Sequence, residues 1–217
     1  MRVLPAFVTS ILLVFSPAML AHADNGRTPD QIVDSVAKQL LTDLSAHRNE
    51  YRKSPEELRK LIDKYLLPNF DTEYAARLVL AKHWRDATPE QRQLFINAFY
   101  QSLIHNYGDA ILEFTADRLN ILPYKGDPAD TNATVRSEVR RSNGTMVPVN
   151  YSLHKTDAGW KAWDVTIEGV SYVKSFRTDF GSEIEQKGLD AVIKRLQAQQ
   201  ATSPTPASKS SNSKKSG

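Results

Sequence analysis

The sequence predicts an α+β fold in which an antiparallel sheet of about four strands carries helices on one apolar face. Two observations predict it. Apolar residues recur every three or four positions through the first half of the chain, as in amphipathic helices, and from Ala133 they alternate with polar residues, as in strands. Because helices and strands are segregated along the chain, a parallel α/β fold is disfavoured.

Three helix starts share one format, in which a hydroxyl residue is followed by proline, an acidic residue and then Gln or Glu. The hydroxyl can accept from the third N–H while the Gln or Glu reaches back, and proline at the first helical position loses no needed donor. These capping boxes are Thr28–Gln31, Ser54–Glu57 and Thr88–Gln91. They predict helices from Pro29 to about Ala46, from Pro55 to before Pro68, and from Pro89 to about Tyr107 with an extension towards Phe114. Shorter helices are predicted over Thr72–Leu80 and Leu189–Gln197.

The strand region is predicted to form a meander of consecutive antiparallel strands. Asn143-Gly144 is a hairpin signal, and Asp157–Gly159 forms a second turn. Pro148 lies within the return strand, which predicts an edge strand or a bulge there. Alternation places Trp163, Val165 and Ile167 on one face of the last strand, opposite Lys161 and Asp164, and Asp117–Tyr124 is a candidate first strand.

The first 23 residues have the three parts of a secretory signal peptide. Arg2 supplies positive charge, an apolar run extends from Val3 to Phe15, and Ala21-His22-Ala23 is a small-x-small cleavage site. We expect cleavage after Ala23. An uncleaved anchor is disfavoured because the apolar run is shorter than the about 20 residues that span a bilayer.

Composition divides the rest into one folded domain, 24–200, and a disordered basic tail, 201–217. Without Arg2 and the three tail lysines, 24 basic and 25 acidic side chains remain, so the body is near neutral and no nucleic-acid partner is expected. The chain has no cysteine, which excludes disulfides, thiolate metal sites and a lipid-modified amino-terminal cysteine.

Catalytic patterns are weak. The sequence has no HExxH, GxSxG or glycine-rich phosphate motif, and no pair of histidines at metal-ligand spacing. Asp164 and His83 are the candidates for a carboxylate–histidine site. The interpretation favoured by alternation is that Asp164 faces solvent and that His83 caps or packs locally. The helical residues predicted to pack against the apolar face of the strands are Phe95, Phe99 and Tyr107. Hydrophobic periodicity does not distinguish a filled core from a lined cavity.

Three blocks of residues, in order and suitably spaced, cover nearly all of Pro29–Gln197. The first block extends from Phe70-Asp71 to Phe95 and contains His83-Trp84-Arg85. The second block is Pro148–Tyr151. The third block consists of Gly159–Lys161, Trp163–Val165, Glu168–Ser171 and Phe176-Arg177 with Phe180. In this respect the chain resembles the MlaC family, also called toluene-tolerance or periplasmic phospholipid-binding proteins. It departs from the family pattern at Ala81, where glycine is usual, and at Ser175-Phe176, where Asn-Tyr is usual.

The resemblance implies an NTF2-like cone, whose sheet wraps helices around an internal apolar pocket. It implies a monomeric periplasmic carrier with phospholipid as cargo, no cofactor and no enzymatic activity. The implied partners are an inner-membrane ABC transporter with an MCE-domain protein and an outer-membrane lipoprotein–porin complex, and the implied role is maintenance of outer-membrane lipid asymmetry. An NTF2-like small-molecule enzyme and a protein-binding adaptor are the alternatives.

On this basis we expect eleven residues to line the pocket: Leu78, Phe95, Phe99, Leu103, Tyr107, Val135, Val149, Tyr151, Trp163, Val165 and Ile167. Three cations are candidates for the headgroup rim: Arg77, Lys82 and Arg177. No metal site is expected.

Overall fold

A computed structural model of the chain describes residues 26–200 except Ser142, so the predicted signal peptide and basic tail lie outside the described residues. Helices and an antiparallel sheet confirm the α+β class. Within this part of the chain the helices are α1 (Pro29–Lys53), α2 (Pro55–Tyr65), α3 (Thr72–Leu80), α4 (His83–Asp86), α5 (Pro89–Ile111), α6 (Tyr172–Lys187) and α7 (Leu189–Gln200). The strands are β1 (Leu119–Ile121), β2 (Asn132–Arg140), β3 (Met146–Thr156), β4 (Gly159–Ile167) and β5 (Val170–Ser171).

The predicted helix starts are confirmed. At Thr88 both hydrogen bonds of the capping box form: Gln91 N–H donates to the hydroxyl at 3.1 Å and Gln91 Oε1 accepts from Thr88 N–H at 3.0 Å. The Ser54 hydroxyl accepts from Glu57 N–H at 3.3 Å. The first helix breaks at His47 (φ −124°, ψ 19°), as predicted, but it resumes and runs to Lys53.

Asp43 ties α1 to α2 beside this kink. Its carboxylate accepts from the hydroxyls of Tyr51 at 2.8 Å and Tyr65 at 2.9 Å, and it also contacts His47 and Lys64. These hydrogen bonds, led by that of Tyr51, lower the pKa of Asp43 to about 2.

The sheet is a meander in the order β1-β2-β3-β4-β5, with every neighbouring pair antiparallel. β3 is central, so the prediction that Pro148 marks an edge strand is wrong for the strand as a whole. At Pro148, however, β3 has run past the end of β4, and the Pro148 carbonyl accepts from Glu168 N–H at 3.1 Å. The missing N–H of Pro148 therefore costs no ladder hydrogen bond to β4.

A bulge in β4 changes which way Trp163 points. Ser152 pairs with Asp164 and Leu153 with Ala162, so Trp163 is an extra residue without a partner on β3. As a result Trp163 packs against the helices, 5.7 Å from the Tyr74 ring, and does not share a face with Val165. The expectation that Asp164 faces solvent is also wrong: it is 4% exposed and faces the start of α6.

Buried apolar side chains form three clusters. The largest, which we call the helical cluster, joins α3, α5, α6 and α7 and includes Val79, Phe95, Phe99, Phe180 and Leu196. A second joins α1, α2 and the end of α5. The third packs α1 against the sheet. In the part of the chain that the structure describes, no helix combines the length and the hydropathy needed to cross a membrane.

Candidate functional site

The strand register defines one apolar face of the sheet. Val135, Tyr151 and Val165 form one row across β2, β3 and β4, and Ser137, Val149 and Ile167 form the next. Directly opposite residues of antiparallel strands share a face, so these rows lie side by side. Val170 extends the second row, because β5 pairs it with Ile167.

One end of this face packs against α1, and the other end lies outside the three buried clusters of described residues. At the covered end Ala133, Val135, Leu153 and Trp160 are buried against Ile32 of α1. At the other end, which we call the free end, are Val147, Val149, Val165 and Ile167, and none of the three clusters of described residues includes them. Val147 and Val149 are buried, whereas Val165 and Ile167 remain partly exposed although they lie on the same apolar side.

Aromatic residues from two helices lie at the free end. Tyr107 of α5 contacts the rings of Tyr172 (5.3 Å between centroids) and Phe176 (6.4 Å) of α6. Tyr172 directly follows β5, which places these three rings, here called the aromatic wall, at the same end of the sheet as Ile167. Phe176 also packs against the helical cluster, with its ring centre 5.4 Å from that of Phe99 and 5.6 Å from that of Phe180. Tyr107 is 37% exposed, which is unusual for a ring held between two others on an apolar side.

Sequence reasoning missed α6 and, with it, Tyr172 and Phe176. A signal was present: Tyr172, Phe176, Phe180 and Ile184 recur every four residues, after Ser171 and before Gly188. The Ser171 hydroxyl accepts from Lys174 N–H at 3.1 Å as an N-cap, and Gly188 (φ 82°) ends the helix.

The structure divides the eleven predicted lining residues among three places. Tyr107, Val149, Val165 and Ile167 lie at the free end or its aromatic wall. Val135 and Tyr151 share the row of Val165 but pack in the cluster between α1 and the sheet. The other five belong to the helical cluster or pack against it: Leu78, Phe95, Phe99, Leu103 and Trp163. Phe95 and Phe99 are 0% and 3% exposed and stack at 5.7 Å, so they are enclosed by other helices.

Hydroxyls are the polar groups on the apolar face. Ser137 Oγ is buried and donates to the Val149 carbonyl at 2.8 Å. Burial raises the pKa of Tyr151, so its phenol is neutral at physiological pH. The described strand residues place no carboxylate or imidazole on this face. Such a surface accommodates apolar chains and offers no general acid or base that titrates near neutrality.

Two of the three predicted rim cations line a groove between the end of α3 and α6. Lys82 and Arg177 line one groove of about 380 Å³ together with His83, and Lys82 pairs there with Glu185. Arg77 lies one turn earlier on α3, with its guanidinium 5.3 Å from the centre of the Tyr74 ring. The structure thus brings Lys82 and Arg177 together, away from the free end of the sheet.

The two candidate catalytic residues are also separated from the apolar face. Asp164 accepts hydrogen bonds at the start of α6, and His83 lines the groove beside Lys82 with its Nε2 atom buried. Among the described residues, no group of three or more carboxylate, imidazole or thiol side chains is arranged to hold a metal ion.

Comparison with known proteins gives three matches that agree. The family model described as MlaC protein matches residues 34–198. The toluene tolerance protein ttg2D of Pseudomonas putida is 31% identical over 181 residues, which are 83% of this chain and 82% of that protein. The intermembrane phospholipid transport system binding protein MlaC of Haemophilus influenzae is 23% identical over 200 residues, 91% of this chain and 92% of that one.

A solved structure shares the fold. It is described as a phospholipid-binding protein from Ralstonia solanacearum in complex with a phospholipid. It superposes with a TM-score of 0.75 at 23% identity, over 81% of this chain and 98% of that one. This likeness supports the NTF2-like architecture expected from the sequence.

Proposed function

This chain belongs to the MlaC family, and we propose that it is a phospholipid carrier that moves lipid between two membranes across the periplasm. Two observations from its relatives support the proposal. The Haemophilus influenzae relative is named as the binding protein of an intermembrane phospholipid transport system. The Ralstonia solanacearum structure of the same fold holds a phospholipid.

The observation on this chain that carries the proposal is the free end of the sheet. A filled core would enclose Val165, Ile167, Tyr107 and Tyr172, yet these side chains stay outside the buried clusters and partly exposed. They come from the sheet and from two helices, α5 and α6, at one end of the sheet. We propose that acyl tails bind between them, in a tail pocket whose lining Val135, Val149 and Tyr151 extend along the sheet.

A carrier of this kind solves an energetic problem. A phospholipid has about 30 methylenes in its tails, and each is worth roughly 0.8 kcal/mol on burial, so free passage through water would cost on the order of 20 kcal/mol. An apolar pocket removes most of that cost, because bilayer and pocket are similar solvents for the tails. Exchange then runs near balance, and the partners set its direction.

The expected setting follows from the same proposal. The predicted signal peptide, residues 1–23, would deliver the domain, residues 24–200, to the periplasm as a monomer. There it would exchange phospholipid with an MCE-domain protein of an inner-membrane ABC transporter and with an outer-membrane lipoprotein–porin complex. The outcome would be maintenance of outer-membrane lipid asymmetry.

The function is tested by the lipid content of the protein as cells make it. The full chain is purified without detergent and extracted with organic solvent, and the extract is analysed by mass spectrometry. We expect diacyl phospholipid in near-stoichiometric amount. Protein that is folded but yields no phospholipid would contradict the proposal and would favour an adaptor or an enzyme on the same fold.

A further inference from the structure

Asp164 is a buried carboxylate that joins β4 to the start of α6. Its Oδ2 accepts from the Ser171 hydroxyl at 2.5 Å, and its Oδ1 accepts from Val173 N–H at 3.0 Å. Asp164 is 4% exposed, and no described cationic side chain forms an ion pair with it. Its charge is therefore compensated by these two donors and by the positive end of the α6 dipole.

Capping alone does not explain this residue. Ser171 already caps α6 by accepting from Lys174 N–H. A buried carboxylate without a cation is costly, and a neutral side chain would fill the same volume at lower cost. What Asp164 adds is a connection between two elements, because it lies on β4, seven residues before the cap. It fixes the position of α6 relative to the sheet.

The register of β4 directs Asp164 towards α6. Asp164 pairs with Ser152 and so lies on the face opposite Val165. The extra residue Trp163 packs on this same side, where α3 and α6 lie. The chain then reverses at Glu168 (φ 51°) and Gly169 (φ 81°) and enters β5. A positive φ at a non-glycine residue is strained, so this turn by itself is a poor clamp for α6.

The α6 residues near the contact between Asp164 and Val173 belong to the aromatic wall. Val173 stands next to Tyr172 and one turn before Phe176, the two α6 members of the aromatic wall. We propose that Asp164 is a positioning residue for lipid binding: it holds Tyr172 and Phe176 at the free end of the sheet and so sets how tightly the pocket retains acyl chains. This inference rests on the proposed function.

The test is the rate at which bound lipid leaves the full-length protein. Phospholipid with a fluorescent acyl chain is loaded, and its transfer to excess phosphatidylcholine vesicles is followed. Asp164→Asn keeps the shape and one acceptor but replaces the acceptor of the Ser171 hydroxyl with an NH₂ group. We expect release about tenfold faster, as suits the loss of one charge-assisted hydrogen bond. We also expect a broader range of acyl-chain lengths in co-purified lipid.

Two further variants separate positioning from general stability. Ser171→Ala removes the other partner of the same contact and should also speed release, which keeps the test available if Asp164→Asn does not fold. Ser54→Ala removes the equivalent cap of α2, away from the aromatic wall, and should lower the melting temperature while leaving the release rate and chain-length range unchanged.

Wild-type release rates for folded Asp164→Asn would overturn the positioning role and leave the proposed function standing. Equal acceleration by Ser54→Ala would also overturn it, because release would then follow stability alone. Wild-type protein that carries and accepts no phospholipid would overturn both proposals together.

Discussion

The helical cluster and the free end of the sheet are both rich in large apolar side chains, yet only the cluster is closed. Phe95 and Phe99 stack on each other and meet Phe180 edge to face, at centroid distances of 5.8 and 6.0 Å. Val165 and Ile167 belong to no cluster and stay partly exposed. The cluster therefore stabilises the fold, while the free end is the proposed site for acyl chains. Four experiments test this contrast, from the largest expected effect to the smallest.

Truncation inside the cluster should be costly. Phe95→Ala removes a fully buried ring that no neighbour can replace, and we expect the free energy of unfolding to fall by about 3–5 kcal/mol. Denaturant titration followed by circular dichroism measures it. Phospholipid per folded molecule should not change. A loss of cargo from folded Phe95→Ala protein would indicate that the cluster itself lines the pocket.

Replacing valine with the larger tryptophan should affect stability in the helical cluster and lipid content at the free end. Val79 is 1% exposed in the cluster, so Val79→Trp should cost about 3 kcal/mol or more by overpacking. Val165→Trp should cost less than about 1 kcal/mol, because Val165 is partly exposed and lies outside the buried clusters. The indole should instead displace cargo, lowering co-purified phospholipid at least about threefold.

This pair of variants can also contradict the proposed difference between the two regions. If Val165→Trp destabilises the protein as much as Val79→Trp and leaves its lipid content unchanged, the free end is an ordinary core. Melting temperature and lipid phosphorus content of both proteins provide the two readings.

Acid should weaken the α1–α2 junction without emptying the pocket. The pKa of Asp43 is about 2 when folded against 3.8 when unfolded, so its stabilisation is complete above pH 3.8 and is lost as the pH falls towards 2. Between pH 6 and pH 3 the wild type should lose about 1 kcal/mol more stability than Asp43→Asn. Urea titrations at both pH values test this. Parallel pH profiles of the two proteins would contradict it.

Charge removal at the predicted headgroup rim should have the smallest effect. Arg77, Lys82 and Arg177 lie on or beside α3 and α6, and Lys82 is paired with Glu185 on the surface. A variant with glutamine at all three should keep its lipid, and exchange with anionic vesicles should change by less than about threefold at physiological salt. A change tenfold or larger would place the headgroup near these cations.

Much of the fold was accessible from the sequence, because its local signals are strong. The Thr88 capping box and the Asn143-Gly144 turn act within a few residues, and the structure forms both. The bulge at Trp163 has no such local signal, since it depends on how α3 and α6 pack on β4. That one extra residue moved Trp163 away from the face of Val165, and the packing of α6 buried Asp164 on the face that was expected to meet solvent.

The site was harder to predict than the fold. Phe99 and Val165 are both apolar residues in the sequence, and only packing shows that one is enclosed while the other stays partly exposed. The aromatic wall was missed because α6 mixes charged and small residues with its apolar repeat. Its Tyr172–Phe176–Phe180 spacing was nevertheless present in the sequence.

The central claim, that acyl chains occupy the free end of the sheet, is tested most directly by photo-crosslinking. Phospholipid with a diazirine near the end of one acyl chain is loaded into the full-length protein and irradiated, and the labelled peptides are identified by mass spectrometry. We predict labels on β4 at Val165 and Ile167 and on α6 at Tyr172 and Phe176. Labels concentrated on Phe95 and Phe99 would contradict the claim.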